Sequence, residues 1–246
     1  MGKSLSRADR ETRHGQFLAA GGAEELWGWG TPAGRLRASR RAGLVVAGAG
    51  LGPGVKALEI GCGTGNFTEF FAAAGATVVA VDISPDLLEI ARRRGLPPDR
   101  VTFLCQRFED ASIPGPFDAV IGSSVLHHLD IEAALARIHH LLKPGGRMAF
   151  AEPNMLNPQI FAERTVLRRL LPQVSPDETA FVRWILRRQL HNAGLRDVRI
   201  TPFDWVHPAI PVSMISAVSA VGRVIESLPG LREFSGSLLI QARRPE

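Results

Sequence analysis

Residues 55–68 of the 246-residue chain read Val-Lys-Ala-Leu-Glu-Ile-Gly-Cys-Gly-Thr-Gly-Asn-Phe-Thr, and this stretch decides the fold. The apolar run at residues 55–60 is typical of a buried parallel strand. Three glycines follow at every second position: Gly61, Gly63 and Gly65. A helical pattern begins directly after them. A strand, a glycine-rich turn and a helix start form half of a nucleotide-binding unit, because glycine lets the backbone approach a ligand and the first helical N–H groups are free to bind it.

The spacing of the glycines argues against two phosphate-binding motifs. A dinucleotide fingerprint reads G-x-G-x-x-G, but here the third glycine comes one residue early and Asn66 stands where that motif needs glycine. A P-loop would need a lysine followed by Ser or Thr, which this turn lacks. The plain alternative is an ordinary tight turn between a strand and a helix, so the neighbouring segments decide the interpretation.

Alternating apolar runs and helical patterns predict an α/β fold of the doubly wound, Rossmann-like kind. Five further strands are predicted between the first strand and the last, at residues 77–81, 101–105, 117–122, 147–152 and 198–203, with the last strand at residues 237–242. The second strand ends at Asp82, where a carboxylate can accept hydrogen bonds from two vicinal ribose hydroxyls. The alternative for Asp82 is a role at the start of the next helix. With the ribose bound, Ile83 would pack on an adenine ring.

Three motifs together resemble those of the class I S-adenosylmethionine-dependent methyltransferases. Glu59 before the G-x-G-x-G turn resembles their motif I. Phe117-Asp-Ala-Val with Val125-Leu-His-His-Leu resembles motif IV, and Leu142-Lys-Pro-Gly-Gly resembles the turn that follows. The resemblance covers residues 55–153 and is nearest to the small-molecule branch typified by quinone-biosynthesis enzymes. It implies a seven-stranded sheet whose last strand is antiparallel.

The resemblance also implies S-adenosylmethionine as cofactor and S-adenosylhomocysteine as product. The residues that it assigns to the cofactor are Glu59, Gly61, Gly63, Gly65, Asp82, Ile83, Phe108 and Ser123. One departure concerns the adenine contact, because Arg107 stands where the family usually has an acidic residue. The contact is therefore expected from the backbone of Phe108, with Gln106 or Glu109 as substitutes.

Methyl transfer from a sulfonium is an in-line displacement, and orientation of the reactants alone supplies about 7–11 kcal/mol in well-aligned systems. A general base is needed only for an un-ionised hydroxyl or a carbon acid. The candidate catalytic residues are His127, His128 and Glu152. The candidate substrate-binding residues are Trp27, Asn154, Trp205 and His207. Each of these roles has a structural alternative. The two histidines would then be a packed and a surface side chain, and Glu152 and Asn154 would bind the backbone of their own loop.

The predicted domains are an N-terminal helical lid at residues 1–50 and a methyltransferase domain at residues 51–246. Insertions at about residues 155–175 and 204–234 are expected to form a substrate cap. The helical pattern begins at Gln16. Within residues 209–224 an apolar helix is predicted to roof the substrate, to pack on the sheet edge or to dock on a membrane. This stretch is too short and too broken by Pro211 to span a bilayer.

Arginines form several clusters. Arg35, Arg37, Arg40 and Arg41 form a solvated face, or one of them meets the cofactor carboxylate. Two further clusters are either solvated or together bind an anionic group. They consist of Arg164, Arg168 and Arg169, and of Arg183, Arg187 and Arg188. Between these two clusters, residues 175–178 form a predicted capping box.

Composition narrows the function further. The net charge of +5 is compatible with RNA, anionic lipid or an acidic substrate. Cys62 and Cys105 lack metal-ligand spacing, so we expect reduced thiols, no metal and a cytoplasmic location.

The sequence thus predicts methyl transfer to oxygen, nitrogen or carbon of a hydrophobic or anionic small molecule. An RNA-modifying methyltransferase and a non-catalytic cofactor-binding module are the alternatives. No nucleic-acid partner is expected, because the Pro-Pro motif of base-methylating enzymes is missing. Peripheral membrane contact stays open, as do the acceptor and the oligomeric state.

Overall fold

The computed structural model describes residues 6–167, 171 and 180–246 of the chain. Its strands are β1 (Lys56–Ile60), β2 (Thr77–Asp82), β3 (Val101–Cys105), β4 (Phe117–Ser123), β5 (Leu142–Pro153), β6 (Arg196–Phe203) and β7 (Ser237–Arg243). Its α-helices are α1 (Arg7–Gly21), α2 (Ala23–Leu26), α3 (Pro32–Ala49), α4 (Asn66–Ala73), α5 (Pro85–Arg92), α6 (Ile131–Leu141), α7 (Pro158–Arg164), α8 (Arg183–Asn192) and α9 (Ile215–Ser227). Short 3₁₀ helices lie at Leu126–His128, Val212–Met214 and Leu231–Phe234.

The seven strands form one sheet in the order β3-β2-β1-β4-β5-β7-β6. The pairs among β1 to β5 are parallel, and β7 runs antiparallel to both β5 and β6. This confirms the predicted doubly wound sheet with an antiparallel last strand. The carboxyl ends of β1, β2, β4 and β5 meet at one edge, which is where open α/β sheets bind ligands.

Capping side chains place several helices where the sequence predicts them. Ser84 accepts a hydrogen bond from the Leu87 N–H at the start of α5, and Asp130 accepts from the N–H groups of Glu132 and Ala133 at the start of α6. Each cap satisfies backbone donors that the first helical turn leaves without partners. The predicted Lys-Pro-Gly-Gly turn differs, because β5 already begins at Leu142 and its pairing with β4 shifts register after Phe117.

Within the predicted lid, the described residues 6–50 divide into two parts that pack differently. Helix α3 buries a face of small residues against the sheet: Ala38, Ala42, Val45 and Ala49. Alanines of β1, β4 and β5 lie in the same cluster, so α3 belongs to the helical layer of the sheet. Helices α1 and α2 pack instead through a small separate cluster, where Leu18 and Ala23 meet Leu87 of α5. Helix α1 also begins at Arg7, nine residues before the predicted start at Gln16, because Ser6 and Asp9 form a capping box.

Each of the two predicted insertions contains a helix, α7 in the first and α9 in the second. Helix α7 forms within residues 155–175, but Arg168, Arg169 and the predicted capping box at residues 175–178 lie outside the described residues. Helix α9 begins later than the predicted apolar helix and buries only Gly222, which lies against Trp205. In the described parts of the chain, no helix is both long enough and apolar enough to cross a membrane.

Two glycines of α3 give a matched test of the packing. A Cβ on Gly34 would lie 1.8 Å from the carbonyl oxygen of Gly28, whereas a Cβ on Gly43 would meet nothing within 4 Å. We expect Gly34→Ala to lower the free energy of unfolding by about 1–3 kcal/mol through overpacking. Gly43→Ala should raise it by about 0.5–1 kcal/mol, because alanine restricts the unfolded chain. Urea denaturation of both variants measures this, and equal effects would contradict the packing of α3.

Glu59 gives a pH-dependent test of the core. Its side chain is 1% exposed, and burial raises the pKa of Glu59 from 4.5 to about 8, with the Asp82 carboxylate adding to the rise and the Thr68 hydroxyl opposing it. Between pH 4.5 and about 8 the folded state therefore holds a proton that the unfolded state has lost. From pH 6.5 to about 8, where His127 is neutral in both the folded and the unfolded state, the free energy of unfolding should fall as pH rises, by up to about 1.4 kcal/mol per pH unit.

The variant Glu59→Gln is expected to remove this pH dependence, because glutamine is neutral at every pH. Glu89→Gln on the exposed face of α5 serves as the control and should leave the slope unchanged. The measurement is the urea midpoint at a series of pH values. A slope that persists in Glu59→Gln would show that another group carries the proton.

Candidate active site

A cavity of about 710 Å³ lies at the ligand edge of the sheet. Its floor consists of the segments that follow β1, β2, β3 and β4, and its cover comes from α1, α2, α7 and the segment after β6. Of the predicted site residues, those on the cavity wall are Trp27, Gly61, Gly63, Asp82, Ile83, Phe108, Ser123, His127, His128, Trp205 and His207. Glu59, Gly65, Glu152 and Asn154 are not among the described residues that line it.

The glycine loop is shaped by left-handed backbone and by close packing. Gly61 has φ 67°, and a Cβ there would lie 2.2 Å from Cγ2 of Val125 in the turn after β4. Gly63 has φ 52° and lies under the ring of Trp27. A Cβ on Gly63 would lie 3.4 Å from the nearest ring atom of Trp27. Gly65 begins α4 away from the cavity and is needed for the close approach of α5. The loop therefore presents bare backbone to the cavity from one side and meets the lid on the other.

Asp82 ties the glycine loop to the end of β2. Its Oδ2 accepts a hydrogen bond from the Gly63 N–H at 2.8 Å, and its Oδ1 accepts from the Ser84 N–H at 2.8 Å. Burial raises the pKa of Asp82, while these two hydrogen bonds act in the opposite direction. Each carboxylate oxygen has a second lone pair. Asp82 therefore bridges the glycine loop and the turn before α5, and it still has the capacity to accept from two hydroxyls.

The segment after β3 forms the wall at the far end of the cavity. Phe108 is buried, and the guanidinium of Arg137 lies over its ring at 5.4 Å. Arg107 pairs with Glu109 at 3.3 Å and with Asp110 at 3.0 Å. The arginine that departs from the family pattern is thus neutralised by its own loop.

Arg41 is the one arginine of its cluster that is buried, at 3% exposure. Its guanidinium donates to the hydroxyls of Ser123, Ser237 and Ser124 at 2.8, 2.8 and 3.1 Å, and to the carbonyl of Ala151 at 2.8 Å. Burial, together with the charge of Arg37, lowers the pKa of Arg41 to about 10, so the group stays protonated at neutral pH. All four acceptors are uncharged, so none of the direct partners of Arg41 neutralises its charge.

The other three arginines of that cluster have different partners. Arg37 pairs with Asp204 at 2.8 Å and lies over the ring of Trp29, and Arg40 pairs with Glu226. Arg35 donates to the carbonyl of Gly30. The sequence did not single out Arg41 within the cluster, and Ser124 and Ser237 were missed altogether.

His127 and Glu152 form a buried pair beneath the cavity. The imidazole Nδ1 lies 2.7 Å from Oε2 of Glu152, and Oε1 accepts from the N–H groups of Val125 and Leu126 at 2.9 Å each. Burial acts to raise the pKa of Glu152, but its hydrogen bonds from His127, Leu126 and Val125 outweigh this and lower it. Burial, with His128 beside it, lowers the pKa of His127 to about 4, against the opposing effect of Glu152.

The lowered pKa values of His127 and Glu152 define the protonation of the pair at neutral pH: the imidazole is neutral and the carboxylate is ionised. An ionised carboxylate accepts only, so Nδ1–H of a neutral His127 donates to Glu152 and Nε2 is the basic nitrogen. His127 lies on the cavity wall, whereas Glu152 is 0% exposed behind it. Glu152 therefore acts on a ligand only through the imidazole.

The side chain of Asn154 binds backbone groups of neighbouring loops. Its Nδ2 donates to the carbonyls of Glu233 and Ser235 at 2.7 Å each, and its Oδ1 accepts from the Leu156 N–H. The side chain thus joins the end of β5 to the 3₁₀ helix before β7, which is the alternative that the sequence left open. Asn157 and Arg164 of the α7 region line the cavity instead.

The cavity is capped by the segment after β6, and not by the apolar helix that was one of the predicted roofs. Residues 204–208 line the cavity, but no residue of α9 is found among the described lining residues. Gly222 of α9 packs on Trp205 from outside, so the helix supports the cap without reaching a ligand. In the described residues, no three His, Cys, Asp or Glu side chains form a group that would hold a metal ion.

Comparison with known proteins agrees with this geometry. Residues 58–148 match a family described as a methyltransferase domain. A ubiquinone biosynthesis O-methyltransferase of Xylella fastidiosa (strain 9a5c) is 34% identical over 165 residues, which are 61% of this chain and 66% of that protein. A protein of the same name from Xanthomonas campestris pv. campestris (strain B100) is 38% identical over 129 residues, 49% of this chain and 54% of that protein. The chain thus spans less than two thirds of the length of these curated relatives.

Solved structures share the fold over nearly the whole chain. N-methyltransferase NodS of Bradyrhizobium japonicum WM9, in complex with S-adenosyl-L-homocysteine, is 20% identical with a TM-score of 0.62 and covers 95% of this chain and 99% of its own. Phosphoethanolamine N-methyltransferase 2 of Haemonchus contortus, in complex with S-adenosyl-L-methionine, is 18% identical with a TM-score of 0.68 and covers 99% of this chain and 61% of its own. With the curated relatives, the domain match at residues 58–148 confirms the resemblance to the class I S-adenosylmethionine-dependent methyltransferases, and the solved structures share the fold.

Proposed function

We propose that this protein transfers a methyl group from S-adenosylmethionine to a hydroxyl of a small-molecule acceptor. The observation that carries the proposal is the single cavity that joins the glycine loop and Asp82 to the buried His127–Glu152 pair. The first part suits the cofactor, and the second suits an acceptor that must lose a proton.

The residues at one end of the cavity fit S-adenosylmethionine. Gly61 and Gly63 line the cavity without side chains, and Asp82 retains lone pairs for the ribose hydroxyls. Ile83 and Phe108 offer apolar surface for the adenine ring. The buried cation of Arg41, whose direct partners are neutral, suits the cofactor carboxylate, and Ser123 lies beside it.

S-adenosylmethionine, when bound, supplies an electrophilic methyl group on a sulfonium. The chain's residues orient the acceptor toward it in a cavity that α1, α2 and residues 204–208 cover from solvent. His127 takes the acceptor proton at Nε2, and the Glu152 carboxylate stabilises the imidazolium that forms. Such a base contributes about 10²–10⁴-fold.

The histidine–carboxylate pair favours a hydroxyl over an amine as the methylated group. An un-ionised hydroxyl is a weak nucleophile until its proton leaves, whereas a neutral amine already has a free lone pair. Trp27 and Trp205 give the acceptor a flat apolar surface, and Arg164 on the same wall is suited to an acceptor that also carries an acidic group. The curated relatives, which are named O-methyltransferases, support this preference.

Calorimetric titration tests the cofactor assignment. We expect S-adenosylmethionine and S-adenosylhomocysteine to bind, and NAD to fail. Asp82→Ala should weaken both sulfur ligands about ten- to hundredfold, which corresponds to the loss of charge-assisted hydrogen bonds. Asp86→Ala in the first turn of α5 is the control, because this carboxylate is four residues away and is not among the described lining residues. Equal binding by both variants would contradict the assignment.

Kinetics with catechol as a flat, un-ionised acceptor test the base. We expect His127→Ala to lower kcat by about 10²–10⁴-fold and Glu152→Gln to lower it by less, because the imidazole is still present. His139→Ala on α6 is the histidine control. In the wild type, kcat/KM, which reports the free enzyme, should rise with pH through the His127 pKa of about 4 instead of the ordinary 6.5, since only the neutral ring accepts a proton. Unchanged kcat in His127→Ala would remove the base from the mechanism.

A further inference from the structure

His127 is held from two sides. On one side Glu152 binds its Nδ1, as described above. On the other side the ring of His128 lies against it, with 4.3 Å between ring centroids and 38° between ring planes. The Nδ1 of His128 in turn lies 3.1 Å from Oε2 of Glu11 on α1. A chain of contacts therefore runs from the lid helix to the proposed base.

The contact between Glu11 and His128 is largely shielded from water. The side chain of Glu11 is 13% exposed and that of His128 is 23% exposed. An electrostatic contact of this kind is screened less than one on the open surface. It fixes the imidazole of His128 at a defined place while α1 is docked.

Helix α1 is attached to the rest of the protein by little apolar surface. Its buried contacts form the small cluster around Leu18 and Leu87, which is separate from the two large clusters of the sheet. Elements with few buried apolar contacts are the ones that open locally. The face of α1 with Glu11, Gly15 and Leu18 lines the cavity, so docking of α1 also closes it.

We propose that Glu11 is a positioning residue for catalysis, which holds His128 against His127 and so orients the proposed base when α1 covers the cavity. The inference rests on the proposed methyl transfer to a hydroxyl. Proton removal thereby depends on the closed lid. An acceptor would be deprotonated only after α1 has shut out water.

The test compares Glu11→Gln with Glu24→Gln. Glu24 is the second carboxylate that anchors the lid, but it accepts from the Thr64 hydroxyl of the glycine loop at 2.9 Å and pairs with Arg94. Both variants loosen the lid, and only Glu11→Gln alters the contact to His128. The acceptors are catechol and 4-nitrocatechol, whose acidic hydroxyl is largely ionised at mildly alkaline pH and needs no base.

We expect Glu11→Gln to lower kcat for catechol about tenfold, because misplacing a catalytic group by even about 1 Å is costly, with little change for 4-nitrocatechol and in cofactor affinity. Glu24→Gln should weaken cofactor binding and affect the two acceptors equally. Equal losses on both acceptors in Glu11→Gln would overturn the inference and leave a merely structural role.

A second measurement does not need turnover. In the 246-residue protein with bound S-adenosylhomocysteine, NMR relaxation of the imidazole rings should show ordered rings of His127 and His128 in the wild type and in Glu24→Gln. Glu11→Gln should show increased ring motion in both histidines, and unchanged relaxation would overturn the inference. If neither catechol is methylated by the wild type, the proposed function fails, and the NMR result still decides whether Glu11 positions His127.

Discussion

The guanidinium of Arg41 is the interaction on which the ligand edge depends. It projects from α3 and binds the ends of β4, β5 and the start of β7 through Ser123, Ala151 and Ser237. A buried charge is costly unless its donors are satisfied, and here neutral oxygens from three strands satisfy them. The same group that fixes these strand ends also lines the cavity. The sheet edge and the proposed cofactor site therefore depend on one side chain.

Two buried glutamates show how the same burial gives opposite protonation. Glu59 follows the strand pattern of β1 into the core, where burial dominates and raises the pKa of Glu59 to about 8. Glu152 is buried as deeply, but two backbone N–H groups and an imidazole donate to it, and its pKa is lowered. The number of donors, and not the depth of burial, decides which carboxyl is charged. A charged Glu152 in turn fixes which nitrogen of His127 is basic.

The parts of the site that are local in sequence could be predicted, and the parts that depend on tertiary contacts could not. The glycine loop, Asp82 and the histidine pair each lie within or just after one strand, so the order of strands places them at one edge. Arg41 and Ser237 are 196 positions apart, and nothing in an arginine-rich helix tells which arginine turns inward. The alanines of α3 were the available signal, because small residues on one face allow a helix to lie close to a sheet. For Asn154 and α9 the sequence left two interpretations open, because polarity and apolarity do not reveal whether a residue faces a cavity or a neighbouring loop.

The close approach of Gly61 and Val125 has a consequence for how this site can change. A side chain at position 61 has no space because the Val125 methyl groups occupy it, and Val125 belongs to the turn that carries His127. The wall proposed for the cofactor and the wall proposed for the acceptor thus share one van der Waals boundary. Related sequences should therefore vary in size at these two positions in a correlated way. Libraries that seek new acceptors would do best to reshape position 125 while position 61 is left alone.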